Sequence, residues 1–107
     1  MPVIRIDFDV KKVSEEEVQS LCEGVQNIVA TVTGIEDTFV YANSPQIGYK
    51  IAPIEIFIQL SAKLIPDVDA LVEQIKQDLH DWKQETGFQW PINFSFIPMN
   101  WKIEIDV

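Results

Sequence analysis

The sequence predicts an α+β fold: duplicated β-α-β units building a four-stranded mixed sheet, two helices on one face, and an added C-terminal edge strand. Three observations carry the prediction. Apolar residues alternate over short runs at 3–10, 54–60 and 101–107, the period of a half-buried strand. Two longer stretches, behind Ser14 and behind Asp67, repeat apolar residues at three- and four-residue spacing, the period of an amphipathic helix. Punctuation residues recur at one offset: Ser14 and Asp67, Gly34 and Gly87, Pro45 and Pro98 are each 53 positions apart.

The first strand, 3–10, places Ile4, Ile6, Phe8 and Val10 on one face and Arg5, Asp7 and Asp9 on the other. "SEEE" at 14–17 is a capping box, in which Ser14 accepts from a backbone N–H and Glu17 reaches back. Behind it, Val18, Leu21, Cys22, Val25, Ile28, Val29 and Val32 form the apolar stripe of a helix that Gly34 stops. "DTFVYANS" is rich in strand formers, and "SPQIGYKIAP" (44–53) is a loop bracketed by prolines. "IEIFIQL" (54–60) is a strand with Ile54, Ile56, Ile58 and Leu60 on one face. "PD" at 66–67 opens a helix with Val68, Leu71, Val72, Ile75, Leu79 and Trp82 as its apolar positions, ended by Gly87. "INFSFI" (92–97) and "WKIEIDV" (101–107) are the last two strands. The common offset divides a single domain, 1–107, into repeats 1–52 and 53–107. The strands within each repeat are expected to be parallel, joined by a right-handed crossover.

Charge and composition exclude several functions. The net charge is −9, and the basic side chains include a single arginine, Arg5, so too few cations are present to neutralise phosphates. Neither nucleic acid nor an anionic membrane is expected as a partner. No apolar run approaches the length of a membrane span, and no basic segment precedes an apolar core at the N-terminus, so the expected location is the cytoplasm. One cysteine, Cys22, cannot make a thiol-rich metal site, and one histidine, His80, lacks a GxSxG nucleophile to serve. GxGxxG and GxxxxGK[ST] loops are absent, so no cofactor is expected.

Two helices cover only one face of a sheet. The other face carries Arg5, Asp7, Glu55, Gln59, Asn93 and Ser95 mixed with Phe39, Tyr41 and Phe57. That mixture is too polar for a dry core and too aromatic to stand in water. The expectation is an oligomer in which this face meets its copies around a wet centre, with the last strand pairing to a neighbour's sheet.

Pro2 opening strand one, the duplicated β-α-β unit and the chain length together resemble the tautomerase superfamily, which includes macrophage migration inhibitory factor and 4-oxalocrotonate tautomerase. The resemblance spans essentially the whole chain. Within the superfamily, Phe96-Ile97-Pro98 followed by "MNWKIEIDV" is similar to a little-characterised bacterial branch. It implies removal of the start methionine, a homotrimer, a small-molecule carbonyl substrate, and Pro2 as the general base of a keto–enol tautomerase. A free α-amino group titrates at about 8, and an apolar pocket lowers that value. The neutral amine then takes a proton from carbon beside a carbonyl.

The resemblance implies a substrate-binding cation at Lys12 (Lys11 after a shift of one) and a site asparagine at Asn93. A solvated surface lysine is the plainer reading of Lys12. After Gly34, where one branch of the family has lysine, this chain has Ile35, Glu36 and Asp37, which counts against an oxo-diacid substrate. "INFSFIP" has no tyrosine, and "IEIFIQL" lacks the cysteine pair of the inhibitory factor. Cys22 reads as a core thiol, His80 as a surface or boundary residue, and Trp90, Trp101 and Phe96 as packing. With Met1 retained, the Pro2 nitrogen is an amide and not a base. The alternative is therefore a non-catalytic homotrimeric scaffold or binding protein of the same fold, and a third reading is a hydratase- or dehalogenase-like reaction through the proline.

Overall fold

A computed structural model describes all 107 residues. The elements run β1 (Val3–Phe8), α1 (Glu15–Thr33), β2 (Phe39–Asn43), β3 (Ile54–Ser61), a 3-10 turn (Ala62–Leu64), α2 (Val68–Thr86) and β4 (Asn93–Met99). The strands form one mixed sheet in the order β2-β1-β3-β4. β1 is parallel to β2 and β3 to β4, and the two pairs meet antiparallel at β1 and β3. Each helix thus joins two parallel neighbours, the connection a parallel pair requires. This is the expected two-layer α+β architecture. No helix is long and apolar enough to cross a membrane.

Local side-chain chemistry sets both helix ends. At α1 the capping box is closed: the Ser14 N–H donates to Glu17 Oε1 and the Glu17 N–H donates to Ser14 Oγ, each at 3.1 Å. At α2 the Asp67 carboxylate accepts from the Ala70 N–H at 3.1 Å. Gly34 and Gly87 end the helices at φ 73° and 74°, in the left-handed region that an L side chain resists. Their N–H groups donate to Ala30 O and Lys83 O, each at 2.9 Å.

The core lies between the sheet and the helices. Ile4, Ile6, Ile54, Ile56 and Ile58 from the two central strands meet Leu21, Val25, Ile28 and Val29 of α1 and Ile75 and Leu79 of α2. Six α1 residues are buried but only Ile75 and Leu79 of α2, and Val68, expected on the apolar stripe, is exposed. The two helices meet at Gly24, where a Cβ would stand 2.3 Å from Trp82 Nε1, so a larger residue would have to displace that indole.

Three expectations are corrected. β1 ends at Phe8 instead of Val10, and Val10 is 59% exposed. Asp9 Oδ1 accepts from the Lys11 N–H at 3.0 Å, and its carbonyl accepts from Val13 at 2.9 Å. This Asx-type turn ends the strand, and Val13 enters the core in place of Val10. Pro98 lies inside β4 and not after a strand. β4 is an edge strand, the place in a sheet that tolerates a proline. Finally, residues 101–107 form no strand in the single chain. Their backbone has no neighbouring strand to pair with, and alternation alone does not supply one. Ile105 and Val107 stand exposed, and Trp101 Nε1 is buried without a hydrogen-bond partner.

One contact clamps the far end of the helix layer. Glu17 Oε2 accepts from Trp90 Nε1 at 3.1 Å, tying the segment before β4 to the start of α1. The Ser14 backbone N–H, helped by the Ser14 hydroxyl and the Trp90 indole and opposed by burial, holds the Glu17 carboxyl below its ordinary value of 4.5. A depressed folded-state value stabilises the native state fully above the unfolded value and is lost as pH falls through the folded one. Urea midpoints of wild type and Glu17→Gln should therefore differ at pH 6 and converge as pH drops below 4.5. A difference that is independent of pH would show that the Glu17 charge is not responsible.

Candidate active site

Pro2 is fully buried at the mouth of β1. Its carbonyl accepts from the Phe39 N–H at 3.2 Å, which ties it to the start of β2. Val3 pairs with Gln59 on antiparallel β3, so one step back sets Pro2 opposite Leu60. By strand alternation Pro2 lies on the same face as Ile4 and Ile6, the face the helices cover. The α1–β2 connection beside it is pinned: Thr38 Oγ1 donates to Ile35 O at 2.9 Å, and Thr33 Oγ1 accepts from the Ile35 N–H at 3.3 Å.

At this end of the molecule lies a cleft of about 380 Å³. Its walls are the last turn of α1 (Val32, Thr33), Ile35, Leu60 at the end of β3, Leu64 and Ile65 around the 3-10 turn, and the first turns of α2 (Asp67, Ala70, Leu71, Gln74). Leu60, Leu64 and Leu71 were not candidate site residues in the sequence. The signal was the apolar "AKLIP" between a strand and a helix cap, where a connection is ordinarily polar.

Lys12 and Asn93 lie elsewhere. Lys12 follows β1 and is exposed, and Asn93 opens β4, exposed, opposite Glu55. Glu55 to Leu60 spans roughly 17 Å of strand, so both residues sit at the other end of the sheet from Pro2. One chain does not bring the three together; Lys12 or Asn93 can reach a Pro2 only on another copy. A second cleft, about 370 Å³, occupies that far end and includes Asp7, Asn43, Lys50 and Glu55.

The uncovered sheet face is ordered in rows. Tyr41, Arg5, Phe57 and Ser95 form one row, and Asn43, Asp7, Glu55 and Asn93 the next. The Arg5 guanidinium sits 4.4 Å from the Phe57 ring centroid, and its Nε is 3.3 Å from Asp7 Oδ2. The chain's one arginine is thus committed to this face and absent from the cleft.

The remaining candidates are structural. Cys22 is half-buried, and burial, with Glu23 adding, pushes its thiol up from the ordinary 9.0. His80 is exposed on α2 with Nε2 3.2 Å from Gln84 Nε2. Trp90 is spent on Glu17, and Phe96 packs against the core. No three His, Cys, Asp or Glu side chains gather so as to hold a metal ion.

This sheet order, with two helices on one face, is a tautomerase-like β-α-β fold. Among solved structures, FG41 malonate semialdehyde decarboxylase inhibited by 3-bromopropiolate matches with a TM-score of 0.69 at 13% identity, over 98% of this chain and 91% of that one. A domain of unknown function from Sebaldella termitidis ATCC 33386 gives 0.69 at 13%, over 100% and 98%. A fused 4-OT wild-type asymmetric trimer gives 0.60 at 15%, over 90% and 86%. No protein-family model and no curated protein matches the chain.

Proposed function

We propose that the chain is a keto–enol tautomerase whose general base is the Pro2 nitrogen, freed by removal of Met1. The observation that carries the reading is the full burial of Pro2, set by register opposite Leu60, which lines an apolar cleft. Burial disfavours the ammonium form of a terminal amine, so the neutral base is populated near neutral pH. The amine takes a proton from the carbon next to the substrate carbonyl. The C–H electron pair becomes the C=C bond, the carbonyl pair moves to oxygen, and protonation there gives the enol.

The chain acts as one domain of two repeats, 1–52 and 53–107, in the cytoplasm, as a homotrimer and without a cofactor. The trimeric 4-OT neighbour and the half-aromatic open sheet face support the assembly. In it, Lys12 and Asn93 of an adjacent copy approach Pro2 and contact the substrate. Nucleic acid and membranes are not partners, in keeping with the net charge of −9.

A second reading, a non-catalytic homotrimeric scaffold or binding protein, is favoured by one observation: no cation lines the cleft beside Pro2. Intact mass of the protein from its native source separates the two. Loss of Met1 is the expected result. Retention leaves Pro2 an amide and excludes the proline base.

A further inference from the structure

We infer that the cleft beside Pro2 takes an uncharged carbonyl compound with an aryl or alkyl tail, in preference to an oxo acid. The inference rests on the reading of Pro2 as the base and specifies its substrate class. Leu60, Leu64 and Leu71 from three different elements give the cleft its apolar walls, and its volume of about 380 Å³ suits one small molecule.

The polar groups in the cleft are few and mostly engaged. Thr33 Oγ1 donates to Val29 O at 2.7 Å, and Gln74 Nε2 donates to Asp78 Oδ1 at 2.9 Å. The one charged lining residue is an acid, Asp67, whose carboxylate caps α2. Glu36 and Asp37 follow Ile35 directly, and the nearest cation along the chain, Lys63, is exposed and does not line the cleft. A carboxylate entering here would lose its hydration beside a fixed negative charge, and the walls of the cleft offer it no counter-ion. A neutral tail would gain from burial and meet no opposing charge.

The step consumes nothing. A C–H bond beside the carbonyl breaks as the Pro2 N–H bond forms, the electron pair passes through C=C to the carbonyl oxygen, and reversal returns a solvent-derived proton to carbon. In D2O the cycle replaces that hydrogen with deuterium.

The test compares phenylacetone with phenylpyruvate, which share an aryl group and reactive methylene and differ in methyl against carboxylate. Deuterium uptake is followed by NMR with the full chain lacking Met1, each rate divided by the uncatalysed rate. Phenylacetone should be favoured by about tenfold or more. Leu64→Lys and Gln74→Lys, at exposed cleft positions that tolerate charge, should each move the preference toward phenylpyruvate by about tenfold. Wild-type preference for phenylpyruvate, or no movement with either lysine, overturns the substrate class. Pro2→Ala distinguishes the two levels. If wild type exchanges neither compound, or Pro2→Ala exchanges both as fast, the base assignment fails and the inference with it. If exchange needs Pro2 but favours phenylpyruvate, only the substrate class fails.

Discussion

Pro2→Ala is expected to lower enol–keto conversion by roughly 10²–10⁴-fold, the usual contribution of a positioned general base. The substitution leaves a terminal amine, but a primary one whose lone pair no ring holds in place. A short N-terminal extension that keeps Met1 attached should be more damaging, because an amide nitrogen is not basic at all. Between them the two variants separate loss of basicity from loss of positioning. The pH profile supplies a readout that a structural role would not move: the wild-type rate should rise with pH to a plateau as the amine loses its proton. Fold damage is a lesser concern, since Pro2 contributes no N–H to the sheet and its carbonyl bond to Phe39 survives in alanine. Equal rates for wild type and Pro2→Ala would end the catalytic assignment, whatever the fold resembles.

The parts of this structure that the sequence disclosed are those decided within a few residues. Ser14 with Glu17, Asp67 with Ala70, and the glycines at 34 and 87 are contacts between near neighbours, and all occur where the pattern places them. The alternation of Ile54, Ile56, Ile58 and Leu60 likewise reports burial directly, because the face under two helices admits nothing polar. Val10 departed from its pattern because Asp9, one position earlier, offers the backbone a turn. Residues 101–107 have a strand's alternation without a strand's partner, and pairing is not encoded in one segment.

The site was less legible for the same reason. Pro2 stands out as a chemical token, and its burial follows from the strand it opens. The cleft is built from α1, β3, the 3-10 turn and α2, so its members share no spacing along the chain. The placement of Lys12 and Asn93 at the opposite end emerges only from the antiparallel register of β1 and β3. That register makes any site using all three an intermolecular one, which joins the catalytic question to the assembly question.

Ile56→Ala tests the core on which both questions depend. Ile56 is fully buried on central strand β3, flanked in register by Ile6 and Phe94. Truncating such a residue removes its burial and leaves a cavity that a sheet pinned on both sides closes poorly, so a loss of about 3–4 kcal/mol is expected. For a domain of this size that corresponds to a fall in melting temperature of roughly 12–30 °C, a large part of a total stability of about 5–15 kcal/mol. Phe57, the next residue, lies on the open face beneath the Arg5 guanidinium. Phe57→Ala should then cost about 0.5–1 kcal/mol in a monomer. In a trimer that buries this face it costs more, and its melting temperature varies with protein concentration while the chains dissociate. Equal destabilisation by the two variants in dilute solution would contradict the two-layer core. A Phe57→Ala loss that grows with concentration would place the open face inside the assembly, where an adjacent copy can bring Lys12 or Asn93 to Pro2.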